Sequence, residues 1–155
     1  MSEACCVPVQ RNRPPCPGCG TRAVVVDEQT VKALLTTTAL RRFLPEPLYF
    51  CGSPKCDVVY FDGGQAFGTA DLRVPVWQKL PAGDRLICYC FGENETDMRR
   101  EIGETGLSAA VSRVRAGIAA KRCACELRNP RGTCCLGDVS TIVKELLGSA
   151  HAAVP

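Results

Sequence analysis

Twelve cysteines in 155 residues fall into two groups of six: Cys5, Cys6, Cys16, Cys19, Cys51 and Cys56, then Cys88, Cys90, Cys123, Cys125, Cys134 and Cys135. Each group holds enough thiols for one four-thiolate metal site with two left over. The spacings differ between the groups, so two different metal centres are expected. The competing use of so many cysteines is a disulfide scaffold. The chain opens MSEACCVPVQ, without the basic and apolar regions of a secretory signal, which points to a reducing, cytoplasmic setting. Adjacent and C-x-C pairs also bridge poorly, because a disulfide needs specific Cβ vectors. Metal ligation is the better use of such thiols. Half-chains of about 70 residues bury little core and often depend on a metal as a staple.

No run approaches the ~18 apolar residues of a membrane helix, so no membrane insertion is expected. The net charge of +3 is mild, and no dense basic stripe with interleaved aromatics marks a nucleic-acid binder. Arg113, Arg115, Lys121, Arg122, Arg128 and Arg131 give the second cysteine group a basic setting. That is first a solvated face, and second a docking surface for an acidic partner. No nucleophile–base pair, phosphate loop or cofactor fingerprint is present, so a binding protein is expected and not an enzyme.

Residues 1–15 read as a proline-punctuated arm. Strands are expected at Ala23 to Asp27, Leu48 to Phe50 and Val58 to Phe61, with Gly63-Gly64 turning a hairpin and Leu72 to Trp77 an edge strand. Thr30 reads as the N-cap of a short helix through Leu35, extending into ALRRFL. Tyr49, Phe50, Tyr60, Phe61 and Trp77 supply a small β core. Lys79 to Arg85 reads as a polar linker between a β-rich unit (16–78) and a helical unit (86–148). In the second unit Asn94 or Thr96 caps a helix ending at Gly103 or Gly106, and Glu93, Glu95 and Asp97 favour its dipole. Ser108 to Lys121 carries a helical apolar stripe. The stretch CACELRNPRGTCCLGD reads as a turn-rich loop. Asp138 caps a last helix over Val139 to Leu147, and 149–155 is a tail holding the single histidine, His151. The fold class is α+β, a zinc-ribbon-like β module followed by a helical module.

Cys16-x2-Cys19 and Cys51-x4-Cys56 are two knuckles whose turns aim paired sulfurs at one ion. Four such thiolates form a closed tetrahedral site, the pattern of structural zinc, with rubredoxin-like iron as the other occupant of such ligands. In the second group Cys88 and Cys90 lie at i and i+2 of an extended segment and share a face, so both can ligate one iron. Cys123, Cys125, Cys134 and Cys135 follow in loops and at a helix start. Loop and helix N–H groups suit an anionic [2Fe–2S] cluster there. Cys5-Cys6 is a vicinal pair suited to soft ions such as Cu(I), or an incidental pair in the arm, or the source of one thiol that completes the zinc site.

CYCFG followed by CACELRNPRGTCCLGDV resembles the small helical [2Fe–2S] domains of bacterioferritin-associated-ferredoxin type. With CPGCG, TVKALL and YFCGSPKCDVVYF before it, the chain more closely resembles the N-terminal iron–sulfur and zinc module of CopZ-type copper chaperones, from about Cys16 to the last helix. The resemblance implies zinc at Cys16, Cys19, Cys51 and Cys56, and a [2Fe–2S] cluster at Cys88, Cys90, Cys125 and Cys135, with Cys134 and Cys123 as alternates. Asn129, Pro130 and Gly132 are then turn-formers. Chaperones of this type also carry a heavy-metal-associated domain with its own C-x-x-C, which this sequence does not show up to Pro155. The expected function is metallochaperone-like handling of copper or another soft metal, its partners the metal cargo and a metal transporter. The alternatives are a ferredoxin-like electron carrier serving a reductase or redox partner, and a redox-sensing or structural interaction module.

Overall fold

Short runs of β-branched and aromatic residues build the sheet of the first half. The computed structural model describes residues 13–152. Strands β1 (Val24–Val26), β2 (Leu48–Phe50), β3 (Val58–Phe61) and β4 (Ala66–Gly68) form an antiparallel sheet in that order. Tyr49 pairs with Val25 on one side and Phe61 on the other, so β2 is central. Helices α1 (Glu28–Leu34) and α2 (Thr37–Leu40) lie between β1 and β2 in the chain. Val31 and Ala39 of these helices, and Leu35 between them, join Leu48, Phe50, Val59, Tyr60 and Phe67 in one core.

In the second half, β5 (Leu86–Cys88) and β6 (Glu93–Asn94) form a small antiparallel pair. They lead into α3 (Glu95–Thr105), α4 (Ala110–Ala119), the short α5 (Cys125–Arg128) and α6 (Leu136–Ala152). Ile87, Met98, Ala110, Val114, Val139, Ile142 and Val143 form the core here, together with the buried Cys88, Cys125 and Cys135. The molecule is α+β, strands dominating the first half and helices the second.

Several local expectations change in tertiary context. Asp27, not Thr30, caps α1, accepting the Gln29 N–H at 2.7 Å. Thr30 is buried inside the helix, where its hydroxyl reaches the other half of the molecule. Leu35 is extended, and Thr36 caps a separate α2 instead of a prolonged α1. Leu72 to Trp77 is not a strand: only Leu72 bridges Leu35, and Trp77 opens a 3-10 turn. Trp77 packs on the helical core rather than the β core. The last helix starts at Leu136, before Asp138, and continues through Gly148 to Ala152, so it takes in part of the expected tail and exposed His151. Asp138 instead pairs with Arg131 at 2.7 Å.

Asn94 does cap α3, accepting the Asp97 N–H at 2.9 Å, and Gly106 (φ 81°) ends it. The acidic residues near this helix start do more than meet a dipole. Buried Glu93 makes a bidentate pair with Arg113 (2.6 and 2.9 Å). Buried Glu95 pairs with Arg85 and accepts the backbone N–H groups of Gly83 (2.7 Å) and Arg85 (3.1 Å). The polar segment after Lys79 is thereby tied to α3.

Candidate metal centres

Two tight turns bring the first four thiols together. In Cys16–Cys19, the Gly20 N–H closes onto the Cys16 carbonyl (2.8 Å), and Gly20 takes the left-handed φ of 72°. Gly18 has no room for a side chain, since a Cβ there would meet Cys56 Sγ at 2.8 Å. The second knuckle, Cys51 to Cys56, is the connection from β2 to β3, with the Cys51 N–H on the Val59 carbonyl at 2.9 Å. The sheet therefore holds one knuckle at its hairpin end, and the glycine lets the other close over it.

All four sulfurs lie within 4.8 Å of one another. Cys16 and Cys56 Sγ are 3.7 Å apart, and Cys19 and Cys51 Sγ 3.6 Å. The edge of a zinc tetrathiolate tetrahedron is about 3.8 Å for a Zn–S bond of about 2.3 Å, so the donor set fits such an ion. Cys16, Cys51 and Cys56 are buried and Cys19 is exposed. Hydrogen bonding with the side chain and backbone of Thr21 holds the Cys19 thiol down to about 6. Burial pushes Cys51 up to about 12 and raises Cys56. Thiols crowded and desolvated in this way ionise readily only beside a cation. Lys79 supplies part of that charge: its Nζ donates to Cys51 Sγ (3.7 Å) and to the Ser53 carbonyl (3.0 Å). Read along the chain, Lys79 is linker; no local spacing marks it as a neighbour of a sulfur.

The second group is spread over four elements. Cys88 ends β5, and Cys90 follows in the turn to β6; Cys125 opens α5, and Cys135 immediately precedes α6. Cys90 and Cys125 Sγ are 3.7 Å apart, and the Ala124 N–H donates to Cys90 Sγ at 3.2 Å. Cys88 and Cys135 share the helical core; interaction with Cys135 holds the Cys88 thiol down to about 6, and Cys88 in turn raises that of Cys135. Burial pushes Cys125 up to about 12. Cys88 is the last residue of β5 and Cys90 lies in the turn to β6, which closes with the Gly92 N–H on the Cys88 carbonyl at 2.9 Å.

Cys88, Cys125 and Cys135 are buried and Cys90 half-buried, whereas Cys123 and Cys134 are exposed. The Cys90–Cys125 pair spans a length close to one tetrahedral edge, and the buried Cys88 and Cys135 lie in the same core as Cys125. Cys5 and Cys6 lie outside the described residues.

Comparison with known proteins supports the first half most directly. Residues 13–73 match the zinc binding domain family of CopZ type. The copper chaperone CopZ of Archaeoglobus fulgidus is 31% identical over 120 residues, 77% of this chain and 57% of that protein. The chain thus spans little more than half the length of that relative. The X-ray structure of the Archaeoglobus fulgidus CopZ N-terminal domain is similar with a TM-score of 0.68 and 26% identity, over 83% of this chain and 96% of that one. The first half of the chain is thus similar to a CopZ-type zinc binding domain, and the described fold as a whole is similar to that N-terminal domain.

Proposed function

We propose that the protein is a metallochaperone-like, soft-metal-handling protein with a structural zinc ion and a one-electron [2Fe–2S] cluster. Cys16, Cys19, Cys51 and Cys56 hold the zinc; Cys88, Cys90, Cys125 and Cys135 hold the cluster in a helical unit of bacterioferritin-associated-ferredoxin type. The observation that carries the reading is one converged thiol quartet, and a second thiol group with Cys90 and Cys125 Sγ 3.7 Å apart beside buried Cys88 and Cys135, in a chain similar to a copper chaperone. Zinc supplies cross-linking charge without redox chemistry, and the cluster supplies one-electron exchange. The protein's own part is to desolvate the thiols and hold them in register, with Lys79 beside Cys51 and the Ala124 N–H on Cys90 offsetting their negative charge.

Copper as cargo, a metal transporter as recipient and a cytoplasmic setting follow from the similarity to the copper chaperone. Among the described residues no helix is long and apolar enough to cross a membrane. A second reading, an electron carrier for an acidic redox partner, is favoured by exposed Lys121, Arg122 and Arg128 in the segment that carries Cys123 and Cys125.

The test is anaerobic purification with iron, sulfide and zinc quantified per chain, EPR of the reduced protein, and then Cu(I) titration. About two irons, two sulfides and one zinc with a spin-half signal are expected. Zinc without sulfide overturns the cluster. Cu(I) uptake that is lost in Cys5→Ser/Cys6→Ser supports metal handling; normal redox cycling without Cu(I) uptake favours the carrier.

A further inference from the structure

The segment between Cys125 and Cys135 closes on itself. Buried Asn129 donates its backbone N–H to the Cys125 carbonyl (2.9 Å) and its Nδ2 to the Thr133 carbonyl (2.8 Å), and its Oδ1 accepts the Arg131 N–H (3.1 Å). The Gly132 N–H returns to the Asn129 carbonyl at 2.7 Å. Two further carbonyls of this segment are met from the other half of the molecule. Thr30 Oγ1, on α1, donates to the Glu126 carbonyl at 2.6 Å. The Tyr60 hydroxyl, on β3, donates to the Pro130 carbonyl at 2.6 Å. Thr30 and Tyr60 are both fully buried. Gly132 (φ 74°) lies against Thr30, where a Cβ would stand 2.9 Å from Thr30 Oγ1.

We propose that Thr30 and Tyr60 are positioning residues for the second metal centre, so that filling the first centre holds the loop on which the second is built. The proposal rests on the cluster reading above and extends it to a dependence between the two sites. Tyr60 sits on the strand that leaves the Cys51–Cys56 knuckle. An ion drawing those two sulfurs together clamps the β2–β3 hairpin at that end. The hairpin carries the Tyr60 hydroxyl to a fixed place, and that hydroxyl orients the turn leading to Cys135. Thr30 fixes the other end of the loop, next to Cys125. Cys51, in the zinc knuckle, lies outside this loop and serves as the internal control.

The experiment uses the full chain, purified without oxygen, as wild type, Tyr60→Phe and Thr30→Val. Each variant deletes one hydroxyl at nearly constant shape. Two readouts follow: iron release to bathophenanthroline disulfonate, and iodoacetamide labelling of iron-free, zinc-loaded protein mapped by mass spectrometry. Zinc content is expected to stay at the wild-type level. Iron release should accelerate about tenfold, the equivalent of ~1.4 kcal/mol for a lost buried hydrogen bond. Labelling should accelerate at Cys125 and Cys135 and not at Cys51. Wild-type rates at every cysteine overturn the proposal, as does equal acceleration at Cys51 and Cys135, which would mean general loosening. If the wild type binds no iron and sulfide, the cluster reading fails, and the labelling pattern alone decides whether the two hydroxyls position the loop.

Discussion

The two thiol groups differ in how their sulfurs converge. In the first, four sulfurs occupy one small volume, supplied by two tight turns, one of them the end of a β hairpin. In the second, the four thiols are supplied by a strand end, a turn, a short helix and the residue before a long helix. The first arrangement needs only local turns and one hairpin, and suits a single ion. The second needs elements far apart in sequence to dock before its thiols come together. A site assembled from distant elements depends on the packing around it, which is why Cys88, Cys125 and Cys135 belong to the helical core. A site assembled from turns brings its own support and can organise a small core that would otherwise be marginal.

The largest effect that would break this contrast comes from the first site. Cys51→Ser should abolish zinc retention and unfold the first half, because structural zinc contributes on the order of 10 kcal/mol. Zinc per chain and far-UV circular dichroism measure it; a folded, zinc-free variant would show that the sheet stands without the ion. Next, Cys135→Ser should remove the iron and its visible absorption, while Cys134→Ser keeps both. The reverse result would mean that exposed Cys134 turns inward when the cluster binds.

A third prediction probes the support of the second half without touching a thiol. Glu95→Ala leaves the Arg85 guanidinium mostly buried and unpaired, at a cost of about 3 kcal/mol in urea unfolding. Burial alone would raise the Glu95 carboxyl, but hydrogen bonds from Arg85 and from the Gly83 and Arg85 N–H groups outweigh it and hold it down to about 2. Its contribution is therefore full above the unfolded carboxyl value of about 4.3 and lost as pH falls towards the folded value. The variant should show a flatter acid limb than wild type over that range; parallel limbs would remove Glu95 from the explanation. The smallest effect is expected for Lys79→Met, a change of under ~1 kcal/mol in zinc retention, seen as a few-fold faster transfer to a chromogenic chelator. A loss as large as that of Cys51→Ser would make Lys79 indispensable to the site instead of an adjunct.

What could be read from the chain was local. The C-P-G-C-G turn and the short spacing of Cys51 and Cys56 between two β-rich runs depend on interactions within a few residues, so sequence alone determined them, and it narrowed the ends of α3 to Asn94 or Thr96 and to Gly103 or Gly106. Only the tertiary structure decided the rest. Cys135 faces the core and Cys134 the solvent because α6 begins at Leu136, earlier than the Asp138 signal predicts. Cys90 meets Cys125 because the separate elements that carry them pack together. Thr30, Tyr60 and Lys79 look ordinary in sequence and acquire their roles from partners far along the chain. Turn and cap chemistry is written in neighbouring residues, whereas the partner of a buried hydroxyl or thiol depends on how separately formed elements pack, and no short window of sequence contains both.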